Sequence, residues 1–484
     1  MAILASKRLL FAAILFFGLL AMTARSATDP DLWWHLRTGQ WMVENGRVAH
    51  TDHFSFTRGG SPWISHEWLS EIVLFEIWRH AGPGALIAFS SIVTTAGFLL
   101  LYGRCPGKPH WAAALTVLGA TASASSWGVR PQMFTFTLAS LLLWLLELAE
   151  RRPRLLLLIL PVFLLWLNLH AGFALGPALL LLYAIGLIFE GLAGTTPWMQ
   201  SRPIIARVLL ITLACLALVP LNPSGLQLYR YPLETLRSTG MRSLIVEWFS
   251  PNFHHGLYVP LLLVFLLLLI ALSYSSTRIK GRIFLPLLFT AVAALDAVRH
   301  IPIFILIAIP VIAAAIPSSS ALPPLTRQHR IPGSIQTMFN AAAVTFLALF
   351  TMLRWVDLAR DQQAREGALF PQRAVEFLQA TRQPERLFAY YDWGGYAIWK
   401  LGSKYRVFAD GRADLYGDDL LRQSIQTVPQ LQKGWEKVIE TWNVQTILVP
   451  PSSAVAQALF LDPGWTAAYR DHQAVIFIRA RPFK

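Results

Sequence analysis

Long apolar runs alternate with short polar loops along most of the chain. A helix needs about 20 apolar residues to cross the roughly 30 Å hydrocarbon core of a bilayer, and eleven runs come near that length. The pattern therefore predicts an α-helical polytopic membrane protein with about eleven spans. The runs cover residues 9–24, 84–103, 110–128, 132–149, 155–170, 172–189, 204–220, 257–275, 283–298, 301–316 and 337–353.

Two longer polar segments interrupt this pattern, at residues 26–83 and 357–484. The first follows an apolar run that begins after Lys7 and Arg8, which fits either a signal peptide or a retained helix. We favour the retained helix, because it would hold the polar segment at the membrane. The predicted division is a first transmembrane helix or signal peptide (1–25), an outer loop (26–83), a multi-span membrane domain (84–356) and a soluble domain (357–484).

The C-terminal segment has the pattern of a small α/β domain. Short strand-like runs, RLFAYY, YRVFAD and VQTILVP, alternate with the helix-like run DDLLRQSIQTV. The segment carries 16 basic and 14 acidic residues, so it is nearly neutral and is not a polybasic membrane arm. Its turn-rich stretches at 392–395 and 410–414 predict loops at strand ends.

Composition and charge agree with a membrane protein and exclude a nucleic-acid partner. Of the 484 residues, 55% are hydrophobic and only 14% are charged. The formal net charge is +14, but the basic residues lie in short loops, and every second loop is enriched in them. Because cytoplasmic loops carry this excess, residues 26–83 and the C-terminal domain should be extracytoplasmic. The two cysteines, Cys105 and Cys215, form neither a metal motif nor a disulfide framework.

The first polar segment concentrates ionisable residues that the spans lack. Asp29 and Asp31 lie two residues apart directly after the first apolar run, where a carboxylate can take a proton or bind a cation. His35, His66 and Glu67 follow. Five tryptophans are interleaved with them and suit an interfacial belt. They are Trp33, Trp34, Trp41, Trp63 and Trp68.

A second set of polar residues lies at the predicted outer ends of the spans. The guanidinium groups of the arginines there can bind phosphate oxygens. A carboxylate can deprotonate an acceptor hydroxyl or hold a cation that bridges to the phosphate. This combination suits a lipid-linked phosphate whose tail stays in the bilayer. Because the spans have almost no ionisable residue near their midpoints, a transporter is a weaker alternative. The set comprises Arg130, Asn168, His170, Asn222, Arg230, Arg299 and His300.

With a carboxylate motif in the first outer loop, many spans and an outer C-terminal domain, the chain resembles the GT-C superfamily of membrane glycosyltransferases. This superfamily includes protein O-mannosyltransferases, aminoarabinose transferases and the catalytic subunit of oligosaccharyltransferase. Residues 390–394, YYDWG, are similar to the WWDYG motif of that subunit but differ at three of five positions, so acceptor-peptide recognition is not carried over. The stretches LNPSG (221–225), EWFSP (247–251) and DGRADLYGD (410–418) look like those of bacterial multi-pass proteins with this architecture.

The resemblance implies transfer of a sugar from a polyprenyl-phosphate-linked donor to a glycan, lipid or protein acceptor, at the outer face of a bacterial inner membrane. It implies that Asp29 or Asp31 is the catalytic or metal-binding carboxylate, with Mg²⁺ or Mn²⁺ as a candidate cofactor. Glu67 is a further catalytic candidate. Arg130, Arg230, Arg299 and His300 would hold the donor phosphate, and the rest of the pocket would draw on His35, His66, Asn168, His170, Asn222, Asp392, Asp410 and Arg412.

Structural explanations compete with these roles. Asp29 and Asp31 also fit helix caps, since Asp is a common N-cap. The histidines match no zinc signature, and Arg130 and Arg299 also fit anchors at span ends. Residues 410–414 fit a simple turn. The alternative function is a non-enzymatic membrane scaffold or receptor subunit that binds an envelope partner through the outer loop and the C-terminal domain.

Overall fold

The computed structural model describes residues 7–274, 279–316, 333–381 and 383–480, which form two compact units. Unit 1 comprises Met1–Arg25, Ile87–Val219 and Glu247–Ala359. Unit 2 comprises Ser26–Leu86, Pro220–Val246 and Arg360–Lys484. Two segments predicted as separate domains, the outer loop and the C-terminal domain, therefore fold together in unit 2, with residues 220–246 between them in sequence.

Apolar helices make up unit 1, and all eleven predicted runs are helical in whole or in part. Two helices cross the boundary between the units, Trp68–Arg104 and Gly333–Arg360. The first of these is broken at Gly82, whose φ of 72° interrupts the helical backbone just before Pro83. The other helices are Lys7–Thr23, Pro109–Ala122, Gln132–Ala149, Ile159–Leu169, Leu175–Leu192, Trp198–Leu218, Val259–Tyr274, Gly281–Asp296 and Ile301–Ala315.

Seven helices within the described ranges are long and apolar enough to cross a bilayer, so the chain is a multi-pass membrane protein. Four predicted runs form shorter helices. Pro109–Ala122 has 14 residues, for example, and at 1.5 Å per residue it is shorter than the hydrocarbon core. The count of eleven spans therefore stays a prediction. The seven are Trp68–Arg104, Gln132–Ala149, Ala171–Leu192, Trp198–Leu221, Gly256–Tyr274, Val298–Ala315 and Ser334–Arg360.

Unit 2 contains the small mixed sheet that the strand-like runs predicted. Its order is β2-β1-β3-β5-β4, with β1, β2 and β3 parallel and β5 antiparallel to both β3 and β4. All four residues of the central strand β3 are buried, as expected for a strand covered on both faces. The strands are β1 Arg386–Ala389, β2 Arg406–Val407, β3 Thr446–Val449, β4 Trp465–Arg470 and β5 Val475–Arg479.

Nine shorter helices among the described residues complete unit 2. Trp33 is fully buried and makes edge contacts with Trp78, Phe370 and Tyr396, while Trp34 and Trp63 are also buried. The prediction of an interfacial belt is therefore wrong for these three tryptophans, which form the aromatic core of the unit. The helices are Pro30–Asn45, Tyr231–Arg237, Thr239–Leu244, Gln362–Leu369, Gln372–Ala380, Tyr391–Leu401, Ala413–Arg422, Trp435–Thr441 and Ala454–Leu461.

Candidate functional site

The carboxylate pair lies at the start of the helix Pro30–Asn45, and its two members differ. Asp29 is the N-cap, and its Oδ1 accepts a hydrogen bond from the Asp31 amide at 3.0 Å. Pro30 follows at the first helical position, which favours a start here. Asp31 is half-buried, and its Oδ1 accepts from Trp34 Nε1 at 3.1 Å. The capping explanation therefore holds for Asp29 but leaves Asp31 as the candidate for chemistry.

One glycine brings a distant loop of unit 2 against Asp31, and a second packs the helix Tyr391–Leu401 against that loop. A Cβ on Gly411 would lie 2.2 Å from Asp31 Oδ1, and one on Gly394 would lie 2.3 Å from the carbonyl oxygen of Ala409. Neither approach leaves room for a side chain. Residues 392–395, predicted as a loop, instead form the first turns of the helix Tyr391–Leu401. That prediction was wrong because the paired glycines serve close packing rather than a turn.

The Tyr391 hydroxyl is buried beside these carboxylates, and no hydrogen bond to it is present among the described residues. Burial raises the pKa of Tyr391 well above 10, and the negative charges of Asp31 and Asp410 raise it further. The hydroxyl is therefore protonated and able to donate a hydrogen bond. Asp392, in the same first turn, has an exposed side chain.

Arg412 anchors the loop that contains Gly411 through a buried ion network. Its Nη2 contacts Asp52 Oδ1 at 2.8 Å and Asp410 Oδ2 at 2.6 Å, and its Nε donates to Asp410 Oδ1 at 2.8 Å. The Tyr416 hydroxyl donates to Asp410 Oδ2 at 2.8 Å. Arg412, Asp410 and Asp52 are each at most 2% exposed. We interpret this buried network as a structural brace, and the pocket roles of Asp410 and Arg412 stay predictions.

Beside this brace lies a buried chain of acids and histidines. His66 Nε2 is 3.1 Å from Glu67 Oε1 and 3.2 Å from the Tyr231 hydroxyl. Glu67 Oε2 is 3.6 Å from His35 Nε2, and His35 Nδ1 is 3.6 Å from Glu71 Oε1. Three sequence-predicted residues, His35, His66 and Glu67, are thus brought together. Glu67 already has two imidazole neighbours, so it is less available to a substrate than Asp31.

His66 is charged near neutral pH. Burial lowers the pKa of His66, but the Glu67 carboxylate and the charge of Asp414 outweigh burial and raise the pKa to about 9. Asp414 shares this environment: burial raises the pKa of its carboxyl, and the positive charges of His66 and Arg412 oppose that rise. The pair of His66 and Glu67 is therefore an ion pair that stabilises the folded unit.

We expect this ion pair to make stability depend on pH. Because the pKa of His66 is higher folded than unfolded, its contribution, at most about 3 kcal/mol, is complete below pH 6.5 and disappears as the pH rises through 9. His66→Gln should lower the melting temperature of the purified protein at pH 6 and have a much smaller effect at pH 9.5. The exposed His50 provides the control, since His50→Gln should have little effect at either pH. An equal loss at both pH values for His66→Gln would contradict the ion pair.

Unit 1 gathers most of the predicted phosphate-binding residues around one carboxylate. Arg130 precedes the helix Gln132–Ala149, and its Nη2 contacts Glu247 Oε1. The Arg299 guanidinium stacks over the Trp248 ring at 4.4 Å. Burial raises the pKa of Glu247, but the nearby charges of Arg130 and Arg299 outweigh burial and lower it. Glu247 is therefore ionised, in contact with Arg130 and under the electrostatic influence of Arg299.

Backbone contacts fix this arrangement. The Val298 amide donates to the carbonyl oxygen of Phe249 at 3.0 Å, and Ser250 Oγ donates to the carbonyl oxygen of Asp296 at 3.1 Å. These bonds tie the loop that carries Glu247 to the turn that carries Arg299. The two charged groups are thus held by neighbouring backbone and not only by their own flexible side chains.

His170 belongs to the same cluster, because it is one of the groups that lower the pKa of Glu247. Its Nδ1 accepts from the Gly172 amide at 2.9 Å and lies 2.7 Å from Thr135 Oγ1, which in turn accepts from Trp166 Nε1. With Nδ1 acting as an acceptor, the proton of His170 is on Nε2. His300 contacts the Trp248 ring and places Nδ1 3.2 Å from the Ala293 carbonyl oxygen.

Three predicted residues have local roles instead. Arg230 is exposed and pairs with Glu234 one helical turn away at 3.4 Å. Asn222 is buried, and its Oδ1 accepts from the Ser224 amide at 2.9 Å in a turn. Asn168 Nδ2 donates to the carbonyl oxygen of Leu164 at 2.8 Å within its own helix. Their roles in substrate binding stay predictions.

Sequence reasoning named neither Glu247 nor Tyr391 as a site candidate, assigned no role to Asp52, and left Asp414 open between a turn and a site role. Glu247 and Asp414 lay in stretches that the analysis singled out, EWFSP and DGRADLYGD. A signal existed for Glu247, because it is an acidic residue in one of the loops predicted to lie on the same side of the membrane as Arg130 and Arg299. No sequence signal pointed to Asp52, since its partner Arg412 is 360 positions away in sequence.

Asp29 and Asp31 are the residues that the sequence predicts to hold a divalent cation. Within the described ranges, no group of three His, Cys, Asp or Glu side chains is arranged to hold a metal ion. One oxygen of Asp29 and one of Asp31 already accept hydrogen bonds. The divalent cation stays a prediction from the sequence, and no step proposed below uses it.

Comparison with solved structures identifies the fold. The archaeal oligosaccharyltransferase AglB from Archaeoglobus fulgidus, in complex with an inhibitory peptide and a dolichol-phosphate, aligns at a TM-score of 0.54 and 12% identity over 91% of this chain and 69% of its own. ArnT from Cupriavidus metallidurans, bound to undecaprenyl phosphate, aligns at 0.50 and 15% identity over 96% of both chains. The chain has the GT-C fold. No family model and no curated protein matches the sequence, so the GT-C fold is recognised from the structure.

Proposed function

We propose that the protein is a membrane glycosyltransferase that transfers a sugar from a polyprenyl-phosphate carrier to an envelope acceptor. The observation that carries the proposal is the convergence of Arg130, Arg299 and His170 around Glu247 in unit 1, which creates a cationic site on a GT-C fold. Arginine forks match phosphate oxygens, and each donated hydrogen bond to a charged oxygen is stronger than a neutral one. The two GT-C neighbours were solved with dolichol-phosphate and undecaprenyl phosphate, which supports a lipid phosphate here.

In the proposed reaction the acceptor hydroxyl attacks the anomeric carbon of the sugar. The bond from that carbon to the phosphate oxygen breaks, and its electron pair leaves with the polyprenyl phosphate. Arg130 and Arg299 stabilise the charge that develops on the phosphate. Asp31 takes the proton of the acceptor hydroxyl, since it is half-buried, faces the Gly411 loop and is not needed as a helix cap. Attack from the face opposite the phosphate inverts the anomeric configuration.

The loop charges support an inner-membrane location with the carboxylates on the extracytoplasmic side. Glycosyl transfer there would act on acceptors outside the cytoplasm, whether glycan, lipid or protein.

The experiment is a transfer assay with a panel of undecaprenyl-phosphate-linked radiolabelled sugars and an envelope extract as the acceptor source. In the purified protein, Arg130→Gln should raise the KM for the donor about tenfold, because one of the two guanidinium groups proposed to bind the phosphate is lost. Arg230→Gln is the matched control, since the Arg230 side chain is exposed and pairs with Glu234 of its own helical turn. A normal KM for Arg130→Gln, or an equal rise for Arg230→Gln, would contradict the assignment.

A further inference from the structure

Glu247 is an unexpected component of a phosphate site, because its negative charge repels the ligand. It is nevertheless ionised and in contact with Arg130, and it lies in the turn Val246–Trp248, which is tied to the turn that carries Arg299. An acid that only anchored a loop would need a single arginine partner, whereas Glu247 contacts Arg130 and its charge is also stabilised by Arg299. Its position therefore requires a functional explanation.

The net charge of the site provides a functional explanation for Glu247. Arg130 and Arg299 contribute two positive charges and Glu247 contributes one negative charge, while His170 is a neutral donor through Nε2. Counted over these described side chains, the site thus has one net positive charge. The side chain of Arg130 is only 12% exposed, so an ion bound here loses much of its hydration. In such surroundings an uncompensated charge is costly, and a ligand binds best when its charge matches that of the site.

We infer that Glu247 sets the charge selectivity of the donor site and makes it specific for sugars linked through a single phosphate. A polyprenyl monophosphate sugar is a phosphodiester with one negative charge, which the site balances. A polyprenyl diphosphate sugar carries two negative charges, and the second would lack a counter-charge. Glu247 is thus a specificity-determining residue. This inference rests on the proposed function and adds the class of donor.

The probes are two lipids in which a methyl group replaces the unidentified sugar: geranylgeranyl methyl phosphate and geranylgeranyl methyl diphosphate. Binding of each to the purified full chain is measured at pH 8, where histidine contributes little charge. The wild-type protein should prefer the monophosphate. Glu247→Gln raises the net charge of the site by one, so the ratio of the two Kd values should shift about tenfold toward the diphosphate. Glu247→Asp keeps the charge and should keep the ratio.

Glu147→Gln is the matched control, since Glu147 also pairs with a largely buried arginine of unit 1, Arg104, but lies near the end of the helix Gln132–Ala149. It should leave the ratio unchanged. If Glu247→Gln fails to fold, Arg299→Gln tests the charge selectivity in its place. It removes one positive charge, so it should weaken binding of the diphosphate more than binding of the monophosphate.

The possible failures are distinguishable. Binding of neither probe by the wild-type protein would refute the proposed function itself. A different result would overturn only the role of Glu247: the wild-type protein binds the probes, but the ratio of the two Kd values is unchanged in Glu247→Gln. The same holds for an unchanged ratio in Arg299→Gln, if that variant has to replace Glu247→Gln. The proposed function would then still stand. An equal shift in Glu147→Gln would show a general charge effect and also overturn the inference.

Discussion

Asp31→Asn should lower sugar transfer by about 100-fold or more while the melting temperature changes little. The substitution keeps the size of the side chain and the acceptor oxygen for Trp34 Nε1, but removes the group that takes the acceptor proton. General-base catalysis typically contributes 10² to 10⁴ in rate, which sets the expected loss. The measurement is kcat for transfer from the undecaprenyl-phosphate-linked donor, alongside thermal unfolding of the same preparation.

Asp29→Asn is the matched control for this experiment. Asn caps a helix about as well as Asp, so the variant should keep both the stability and most of the activity. The two carboxylates are chemically identical and two residues apart, and only their environments differ. Full activity of Asp31→Asn would refute its role as the base, and Glu67 would then be the next candidate.

Arg412→Gln should destabilise unit 2 strongly, by about 3 to 5 kcal/mol, because it leaves the buried carboxylates of Asp52 and Asp410 without a counter-charge. For a unit of this size we expect the melting temperature to fall by roughly 10 °C. Activity at low temperature should survive in the folded fraction, since Arg412 braces the loop and does not contact the substrate in the proposed reaction. The readout is thermal unfolding together with activity measured well below the melting temperature.

Arg422→Gln is the control, because Arg422 is an exposed arginine at the end of the following helix that pairs with Asp419 at 3.2 Å. Exposed pairs contribute about 0 to 1 kcal/mol, so this variant should be nearly as stable as the wild-type protein. A small effect of Arg412→Gln on unfolding would show that the network is not a brace. Complete loss of activity in a folded Arg412→Gln protein would indicate a direct role in the reaction.

The sequence predicted features that depend on local pattern. Apolar runs predicted the helices, and the strand-like run VQTILVP predicted β3, because period and hydropathy are local properties. The GlyGly pair at 394–395 led to a wrong prediction for the same reason. Two adjacent glycines usually indicate a loop, whereas these glycines allow the helix to contact Ala409 and Pro30 closely. Local pattern carries no information about a backbone that approaches from elsewhere in the chain.

In the candidate sites too, the sequence predicted some groupings of residues and not others. Arg130, Arg299 and His170 could be grouped from sequence, since predicted topology assigns their loops to one face of the membrane. The brace between Asp52 and Arg412 could not be predicted, because no periodicity connects residues in separate segments. Asp29 and Asp31 were predicted as one pair, and only hydrogen bonds distinguished the cap from the candidate base.

The composition of unit 2 from three separate stretches has a consequence for biogenesis. The Gln362 side chain donates to the carbonyl oxygen of Ala27 and accepts from its amide, across 335 positions in sequence. The ribosome therefore delivers the helix Pro30–Asn45 long before the helix Tyr391–Leu401 that covers its buried tryptophan. Until then Trp33 has no aromatic partner from the C-terminal stretch. The first polar segment, residues 26–83, is therefore incompletely packed while the later helices are synthesised, and we expect a chaperone or the membrane surface to shield it during that time.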